Sequence, residues 1–169
     1  GTQIRVDDTG EILARSNTVL ESYWEQPEAS AEALAGGWFH TGDGGAFIDG
    51  YVTISDRKKD VIISGGENVS SIEVEDALYK HPAVQAAAVV AKPDDRWGET
   101  PCAFVELRPG ATASAEELIE WCRGQLARFK CPREVRFAEV PKTSTGKIQK
   151  FKIREAMKTE LGLAESKTA

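Results

Sequence analysis

Lys147, which follows a glycine in a short polar segment, is the first candidate for a catalytic or phosphate-binding residue. The segment Thr143-Ser144-Thr145-Gly146-Lys147 resembles a phosphate-binding loop in its residue types. The Walker pattern also needs a glycine five residues before the one that precedes the lysine, and a hydroxyl residue after the lysine. Those places hold Pro141 and Ile148, so the pattern fails. From residue types alone, Lys147 is either an ordinary surface lysine or a point charge, on a mobile loop, that reaches a reacting phosphate or carboxylate.

An aspartate flanked by glycines is the second candidate. Asp43 stands between Gly42 and Gly44, and glycines allow a backbone to approach a ligand closely because they lack a Cβ. An acidic group on such a loop can accept both hydroxyls of a ribose, as in dinucleotide-binding folds. The glycine fingerprint of those folds is absent, since Phe47 occupies its last position. Turn capping by the carboxylate is an equally good interpretation.

The histidines and cysteines do not suggest a metal site. His40 and His81 are isolated and lack metal-ligand spacing, and we interpret them as a loop residue and a helix-end residue. The three cysteines, Cys102, Cys122 and Cys131, are odd in number and lack a C-x-x-C pair. We therefore expect reduced thiols, as in a cytoplasmic protein.

A charged segment that runs into two glycines separates two patterns. Residues 55–68 pass from five consecutive charges to an apolar triplet and then to Gly65-Gly66. The triplet predicts a short buried strand, and the glycines predict the tight turn that ends it. Because hairpin-like patterns precede this segment and alternating helix and strand patterns follow it, we expect a domain boundary here.

Turn residues, capping boxes and apolar periodicity define the elements on either side. The predicted elements are hairpins of 3–6 with 11–15 and of 46–48 with 51–54, helices over 27–34, 70–80, 114–126 and 149–161, and strands over 84–91, 100–107 and 135–137. Residues 92–98 are predicted to form a polar loop, and residues 141–146 another. Residues 1–58 are therefore mostly β and too small to bury a core alone. Residues 59–169 predict a small α+β domain with a mixed sheet and flanking helices.

Composition excludes several classes of protein. Hydrophobic residues make up 41% of the 169 residues and charged residues 28%, which is typical of a soluble globular protein. No apolar run approaches the roughly 20 residues needed to cross a bilayer. No basic-then-apolar segment opens the chain, so nothing suggests secretion.

Charge is distributed unevenly. Residues 123–158 carry eleven Lys/Arg and three Glu, a net +8, although the whole chain carries −6. This asymmetry favours an anionic partner, and a solvated helix face is the alternative interpretation. The aromatic residues there are only Phe129, Phe137 and Phe151, without the stacking motifs of RNA-binding modules, so a phosphorylated small molecule is a better partner than nucleic acid.

Four ordered motifs resemble one enzyme family. They are Gly37-Trp38-Phe39-His40-Thr41-Gly42-Asp43, then Asp56-Arg57-x-Lys59-Asp60-x-Ile62-Ile63-Ser64-Gly65-Gly66-Glu67-Asn68, then Trp97-Gly98-Glu99, then Pro141-Lys142-Thr143-x-Thr145-Gly146-Lys147. In this order and spacing they resemble the C-terminal part of the acyl-adenylate-forming, or AMP-binding, enzymes. Acyl-CoA synthetases, adenylation domains of peptide synthetases and luciferases are members. The resemblance extends from about Gly10 to Met157.

The resemblance implies roles in adenylation. Asp43 and Arg57 would hold the ribose hydroxyls of ATP and of the acyl-adenylate. Lys147 would be the catalytic residue that bridges the carboxylate and the α-phosphate. Lys59 would be the hinge about which the smaller domain turns between the two half-reactions.

The resemblance also implies a coenzyme A site. Gly65 and Gly66 would line the channel for the pantetheine thiol. Trp97, Phe129, Lys130 and Arg133 would lie near the CoA nucleotide. Both ATP and CoA are polyanions, so the basic segment over residues 123–158 would bind their phosphate groups.

The implied protein is an acyl-CoA ligase for short- or medium-chain fatty acids, of the kind that includes methylmercaptopropionate ligases. It would use a carboxylic acid, ATP with Mg²⁺, and CoA, and it would form oligomers or act alone. Residues 1–58 would be the end of a large N-terminal domain that holds the phosphate loop, most of the Mg²⁺ site and the acyl pocket, so the fragment alone would be inactive. Two alternatives stay open: an adenylation domain that loads a carrier protein, and a non-catalytic module that binds CoA or a nucleotide.

Overall fold

The computed structural model describes residues 1–162. Contacts between residues divide the chain into two compact units, Gly1–Lys59 and a second that begins at Asp60. Both units are α+β, and the fold class predicted from the sequence is confirmed. Among the described residues, no helix is long and apolar enough to span a membrane.

The first unit is an antiparallel sheet of four strands in the order β1-β2-β3-β4. The strands are β1 Gln3–Val6, β2 Glu11–Arg15, β3 Phe39–Ile48 and β4 Tyr51–Arg57, and a short helix, α1 Pro27–Ala33, lies between β2 and β3. Asp7 accepts hydrogen bonds from the backbone N–H groups of Thr9 and Glu11, which closes the first hairpin. Both predicted hairpins are present.

The second hairpin is longer than predicted. His40 and Asp43, which we expected on loops, lie within β3, so the expectation of loops there is wrong. The glycine-rich segment stays extended because β3 pairs with β2 on one side and with β4 on the other. Pairing with partners distant in sequence outweighs the low strand propensity of glycine.

The second unit contains a mixed five-stranded sheet. Its strands are β5 Ile62–Ser64, β6 Glu67–Val69, β7 Val84–Asp94, β8 Gly98–Leu107 and β9 Glu134–Phe137. The order is β6-β5-β8-β7, and β9 pairs with β8 in parallel. The predicted loop over 92–98 is wrong, because β7 and β8 continue to within three residues of each other. Asp94 accepts hydrogen bonds from the N–H groups of Arg96 and Trp97, which closes this tight turn.

Helices cover both faces of this sheet. They are α2 Ser71–Tyr79, α3 Ala115–Arg123 and α4 Lys150–Glu160. Residues of β7 alternate between two core clusters: Val89 joins one that includes residues of α2 and α3, and Val90 joins one that includes residues of α4. The near-continuous apolar run of β7 is thus explained by burial on both faces.

Local capping fixes two of the helix starts. The predicted capping box of α3 is present in full, with Ser114 and Glu117 each bonding to the backbone of the other. At α2, Ser70 accepts a hydrogen bond from the N–H of Glu73. Both helices begin where the sequence predicts, because a serine hydroxyl satisfies an N–H that has no partner within the helix.

Candidate functional site

Asp43 and Arg57, the predicted ribose-binding residues, lie directly opposite each other in the pairing of β3 with β4. Both line a cleft of about 910 Å³ in the first unit. Lys59, the predicted hinge, lines the same cleft and belongs to a short 3₁₀ turn, Lys58–Asp60. An aspartate and an arginine on the lining of one cleft offer an acceptor and several donors to a polar ligand.

Glu11 is a buried acid that lines this cleft, and the sequence reasoning missed it. Its carboxylate contacts His40 Nδ1 at 3.2 Å and Lys58 Nζ at 3.3 Å, and it accepts a hydrogen bond from the N–H of Gly42 at 3.0 Å. Burial raises the pKa of Glu11, but the hydrogen bonds from His40, Gly42 and Lys58 outweigh it, so the pKa lies below the ordinary value of 4.5. Glu11 therefore ties together the residues on either side of the Asp43–Arg57 pair.

Gly65 and Trp97, two predicted CoA-site residues, are in direct contact. Gly65 and Gly66 form the turn between β5 and β6 with φ of 62° and 87°, a left-handed conformation that favours glycine. The N–H of Gly65 donates to the carbonyl oxygen of Trp97 at 2.8 Å. A Cβ on Gly65 would lie 2.7 Å from Cε3 of the Trp97 indole. The indole thus packs on the backbone of the turn, at a distance that only glycine permits.

Arginines surround the Trp97 indole. The guanidinium carbons of Arg96 and Arg133 each lie 4.9 Å from the centroid of the ring. Arg133 also lines a pocket of about 320 Å³ together with Arg123 and Arg128. The sequence reasoning missed Arg123 and Arg128. Both contribute to the excess of positive charge over residues 123–158, which was the signal that could have identified them.

Phe129 and Lys130 lie in the same loop as Arg128. Phe129 is exposed, whereas Lys130 donates to both carboxylate oxygens of Glu73 at 2.8 and 2.7 Å. The structure therefore brings Gly65, Trp97 and Arg133 together. It engages Lys130 in an ion pair with α2.

Lys147 lies in a closed hairpin loop. Thr143 N–H donates to the Lys147 carbonyl oxygen at 2.8 Å, and Lys147 N–H donates to Thr143 Oγ1 at 3.0 Å. Lys142 and Ile148 form a bridge at the base of the loop. The side chain of Lys147 is exposed, and its ammonium makes no ion pair with any residue in the range 1–162. Hydrogen bonds therefore fix the backbone of the loop, while the Lys147 ammonium is exposed and has no ion-pair partner among the described residues.

The three cysteines are buried, and Glu106 is already paired. The three cysteines are free, buried thiols, and burial raises the pKa of Cys102 to about 11 and that of Cys122 to about 12. A hydrogen bond from Lys142, together with one from the N–H of Val140, lowers the pKa of Glu106. Across the described part of the chain, no three His, Cys, Asp or Glu residues are grouped to hold a metal ion.

Residues 73–147 match the sequence profile of a known domain, the C-terminal domain of AMP-binding enzymes. The match covers less than half of the chain, and it confirms the resemblance of the four ordered motifs to the C-terminal part of AMP-binding enzymes. The matched range begins within α2 and ends at Lys147. It contains Trp97, Phe129, Lys130 and Arg133, whereas Asp43, Arg57, Lys59, Gly65 and Gly66 precede it.

Two curated relatives are similar to this chain over most of its length. It is 50% identical over 159 residues to acetate–CoA ligase CCL3 of Humulus lupulus, a match that covers 90% of the chain and 28% of that relative. It is 54% identical over 151 residues to 2-methylpropanoate–CoA ligase CCL4 of Humulus lupulus, covering 86% of the chain and 27% of the relative. The chain thus spans little more than a quarter of the length of these relatives.

Solved structures of AMP-binding enzymes share the fold. ATP-bound MatB from Rhodopseudomonas palustris matches with a TM-score of 0.84 and 34% identity, over 94% of the chain and 34% of that protein. Amide bond synthetase McbA from Marinactinospora thermotolerans matches with a TM-score of 0.78 and 38% identity, over 92% of the chain and 34% of that protein.

Proposed function

We propose that this chain is the C-terminal part of an AMP-forming acyl-CoA ligase. In the first half-reaction, a carboxylate attacks the α-phosphate of ATP, which gives an acyl-adenylate and pyrophosphate. In the second, the thiol of CoA attacks the acyl carbon, and AMP leaves. The names of the relatives support this proposal, since CCL3 and CCL4 are both CoA ligases.

The observation that carries the proposal is the uncommitted ammonium of Lys147 on its closed loop. Attack of a carboxylate on a phosphate brings two anions together. A placed ammonium offsets their repulsion and the charge that grows in the transition state, and the loss of one such group costs about 3 kcal/mol, or roughly a hundredfold in rate. Because Lys147 has no ion-pair partner among residues 1–162, its charge is available to the reacting groups.

Asp43 and Arg57 provide the second element of the adenylation site. The Asp43 carboxylate would accept hydrogen bonds from the ribose hydroxyls, and the Arg57 guanidinium, which lines the same cleft, would donate to the ribose oxygens. We assign none of the described residues to the Mg²⁺ that accompanies ATP.

The contact between Gly65 and Trp97 supports CoA as the acyl acceptor. The Gly65-Gly66 turn has no side chain to obstruct a narrow pantetheine arm, and the Trp97 indole forms one wall beside it. The Arg123, Arg128 and Arg133 side chains around the adjacent pocket would bind phosphate groups of the CoA nucleotide, since guanidinium groups match phosphate geometry.

We further propose a short- or medium-chain carboxylic acid as the substrate. The names of CCL3, CCL4 and the acetate/butyrate–CoA ligase AAE7 of Arabidopsis thaliana support a small aliphatic acid. The 169 residues alone are expected to be inactive, because the acyl pocket and the phosphate loop would belong to residues outside this chain.

Exchange of labelled pyrophosphate into ATP by the full-length protein tests the proposal. We expect exchange that depends on a small carboxylic acid, and we expect Lys147→Ala to reduce it at least a hundredfold. The same variant should still convert a supplied acyl-adenylate to the thioester. Lys152→Ala, an exposed lysine on α4, is the matched control and should exchange at the wild-type rate. Unimpaired exchange in Lys147→Ala would refute the role of this lysine.

The choice of acceptor separates the ligase from its alternatives. We expect the full-length protein to release free acyl-CoA, with CoA saturating the second half-reaction. Transfer to a carrier protein but not to CoA would indicate an adenylation domain. Binding of CoA without exchange or transfer would indicate a non-catalytic module.

A further inference from the structure

A buried ion pair connects α4 to α2. Lys150 Nζ lies 2.7 Å from Glu75 Oε1, and the two side chains are only 13% and 11% exposed. The same ammonium donates to the hydroxyl of Ser71 at 2.8 Å. Glu75 Oε1 also accepts the N–H of Val89 in β7 at 2.6 Å. Lys150 is therefore fixed to two successive turns of α2 and, through Glu75, to the central sheet.

This pair lies at the end of the Lys147 loop. Lys150 is the first residue of α4, three positions after Lys147. Between them, Ile148 packs against the core cluster beneath α4, and Gln149 N–H donates to the carbonyl oxygen of Pro141 at 2.8 Å. The chain between the ion pair and the catalytic lysine thus has little freedom to move independently.

A second carboxylate holds the other side of the loop. Glu106 on β8 accepts hydrogen bonds from Lys142 Nζ at 2.6 Å and from the N–H of Val140 at 3.2 Å. The loop is therefore held at its start by Glu106 and at its end by the Glu75–Lys150 pair. Of these two anchors, the Lys150 pair is the more buried, and it is the one that connects the loop to α2.

We infer that Lys150 is a positioning residue for Lys147, and that Glu75 is its fixed partner. This inference rests on the proposed function of Lys147. A displacement of about 1 Å in a positioning group can reduce a rate by roughly a hundredfold. A long flexible side chain such as Lys147 reaches its target reproducibly only if its backbone is fixed, and the Lys150–Glu75 pair fixes that backbone from the α4 side.

A double substitution separates positioning from stability. Lys150→Met alone removes the ammonium that the buried Glu75 carboxylate contacts at 2.7 Å, and the loss of one partner of a buried ion pair destabilises the fold. Glu75→Gln combined with Lys150→Met removes the buried charge, while the Gln oxygen still accepts the Val89 N–H. We expect the double variant of the full-length protein to melt close to the wild-type temperature. We expect its pyrophosphate exchange to fall at least tenfold in kcat, with the KM for ATP and the thioester half-reaction changed less than twofold.

Amide hydrogen exchange gives a measurement that does not depend on catalysis. We expect the backbone N–H groups of Gly146 and Lys147, which are bonded within the loop, to exchange at least tenfold faster in the double variant. Lys152→Met on the exposed face of α4 should change neither the hydrogen exchange nor the activity. An unaltered loop exchange rate in the double variant would overturn the inference whatever the activity of the protein. A double variant with wild-type kcat for adenylation, or with equal losses in both half-reactions, would also overturn it. Absence of pyrophosphate exchange in the wild-type protein would instead count against the proposed function.

Discussion

Asp43 lies directly opposite Arg57 across the β3–β4 hairpin. The antiparallel register places their Cα atoms side by side, and both line one cleft. The Glu11 carboxylate lines the same cleft and accepts hydrogen bonds from Lys58 and from the N–H of Gly42, the immediate neighbours of the pair. Strand pairing therefore holds Asp43 and Arg57 in place. Glu11 supports both positions, because it bonds to Gly42 next to Asp43 and to Lys58 next to Arg57.

Replacing Asp43 tests the ribose role of this pair. We expect Asp43→Ala in the full-length protein to raise the KM for ATP about 10- to 100-fold, because a hydrogen bond to a charged group contributes about 1.5–3 kcal/mol. The measurement is initial-rate kinetics of pyrophosphate exchange with varied ATP. Asp8→Ala, in the exposed turn of the first hairpin, is the control and should leave the KM unchanged. An unchanged KM in Asp43→Ala would remove Asp43 from the nucleotide site.

The two glycines of the β5–β6 turn differ in what an added methyl group would meet. Both have positive φ, so alanine at either costs about 1–2 kcal/mol. At Gly66 the Cβ has open space, whereas at Gly65 it would lie 2.7 Å from the Trp97 ring. We therefore expect Gly65→Ala to lower the free energy of unfolding by about 1–3 kcal/mol more than Gly66→Ala does.

Urea unfolding of the two glycine variants measures this difference. Displacement of the Trp97 indole in Gly65→Ala should also slow thioester formation from a supplied acyl-adenylate, with pyrophosphate exchange retained. Equal stability of the two variants would mean that the indole moves aside at no cost.

Glu11 should make the stability of the first unit dependent on pH. Its folded-state pKa lies below the ordinary value of 4.5, so its stabilising contribution is present above that value and is lost as the pH falls through the lower folded pKa. We expect Glu11→Gln to reduce the free energy of unfolding at pH 7 by about 1–3 kcal/mol, since charged hydrogen bonds are lost. As the pH falls below 4.5 towards the folded pKa, the difference between the variant and the wild type should shrink.

Unfolding in urea between pH 3 and pH 7 tests the Glu11 prediction. The exposed Glu21→Gln provides the comparison and should follow the wild-type curve throughout. A constant difference between Glu11→Gln and the wild type across this range would show that the ionised carboxylate is not what stabilises the unit.

Elements with local signals could be predicted from the sequence. The reciprocal bonds of Ser114 and Glu117, and the apolar run of β7, depend on residues close together in the chain. The length of β3 could not be predicted, because its glycines are held extended by pairing with both β2 and β4. The extension of β7 and β8 into residues 92–98 could not be predicted for a similar reason, because Lys92 to Asp94 are held extended by pairing with Gly98 to Thr100.

The site residues also divide into those with a local sequence signal and those whose arrangement depends on distant pairing. The motif residues were identifiable individually, but the register that sets Asp43 opposite Arg57 arises from strand pairing, which the sequence does not display directly. The contact of Gly65 with Trp97 and the pair of Glu75 with Lys150 join residues far apart in the chain. Both contacts form only when the second unit packs, so no local pattern in the sequence predicts them.

Lys59 provides the test of a hinge. It lies in the 3₁₀ turn Lys58–Asp60, and it is the last residue of the first compact unit. If the two half-reactions require different backbone angles at this residue, proline will permit only one of them, because its ring fixes φ near −65°. We expect Lys59→Pro in the full-length protein to reduce one half-reaction at least a hundredfold and the other less than fivefold. Lys59→Ala removes the same side chain but leaves φ free, so it should retain both half-reactions. Pyrophosphate exchange and thioester formation from a supplied acyl-adenylate are the two measurements, and equal losses in Lys59→Pro would rule out a selective hinge at this position.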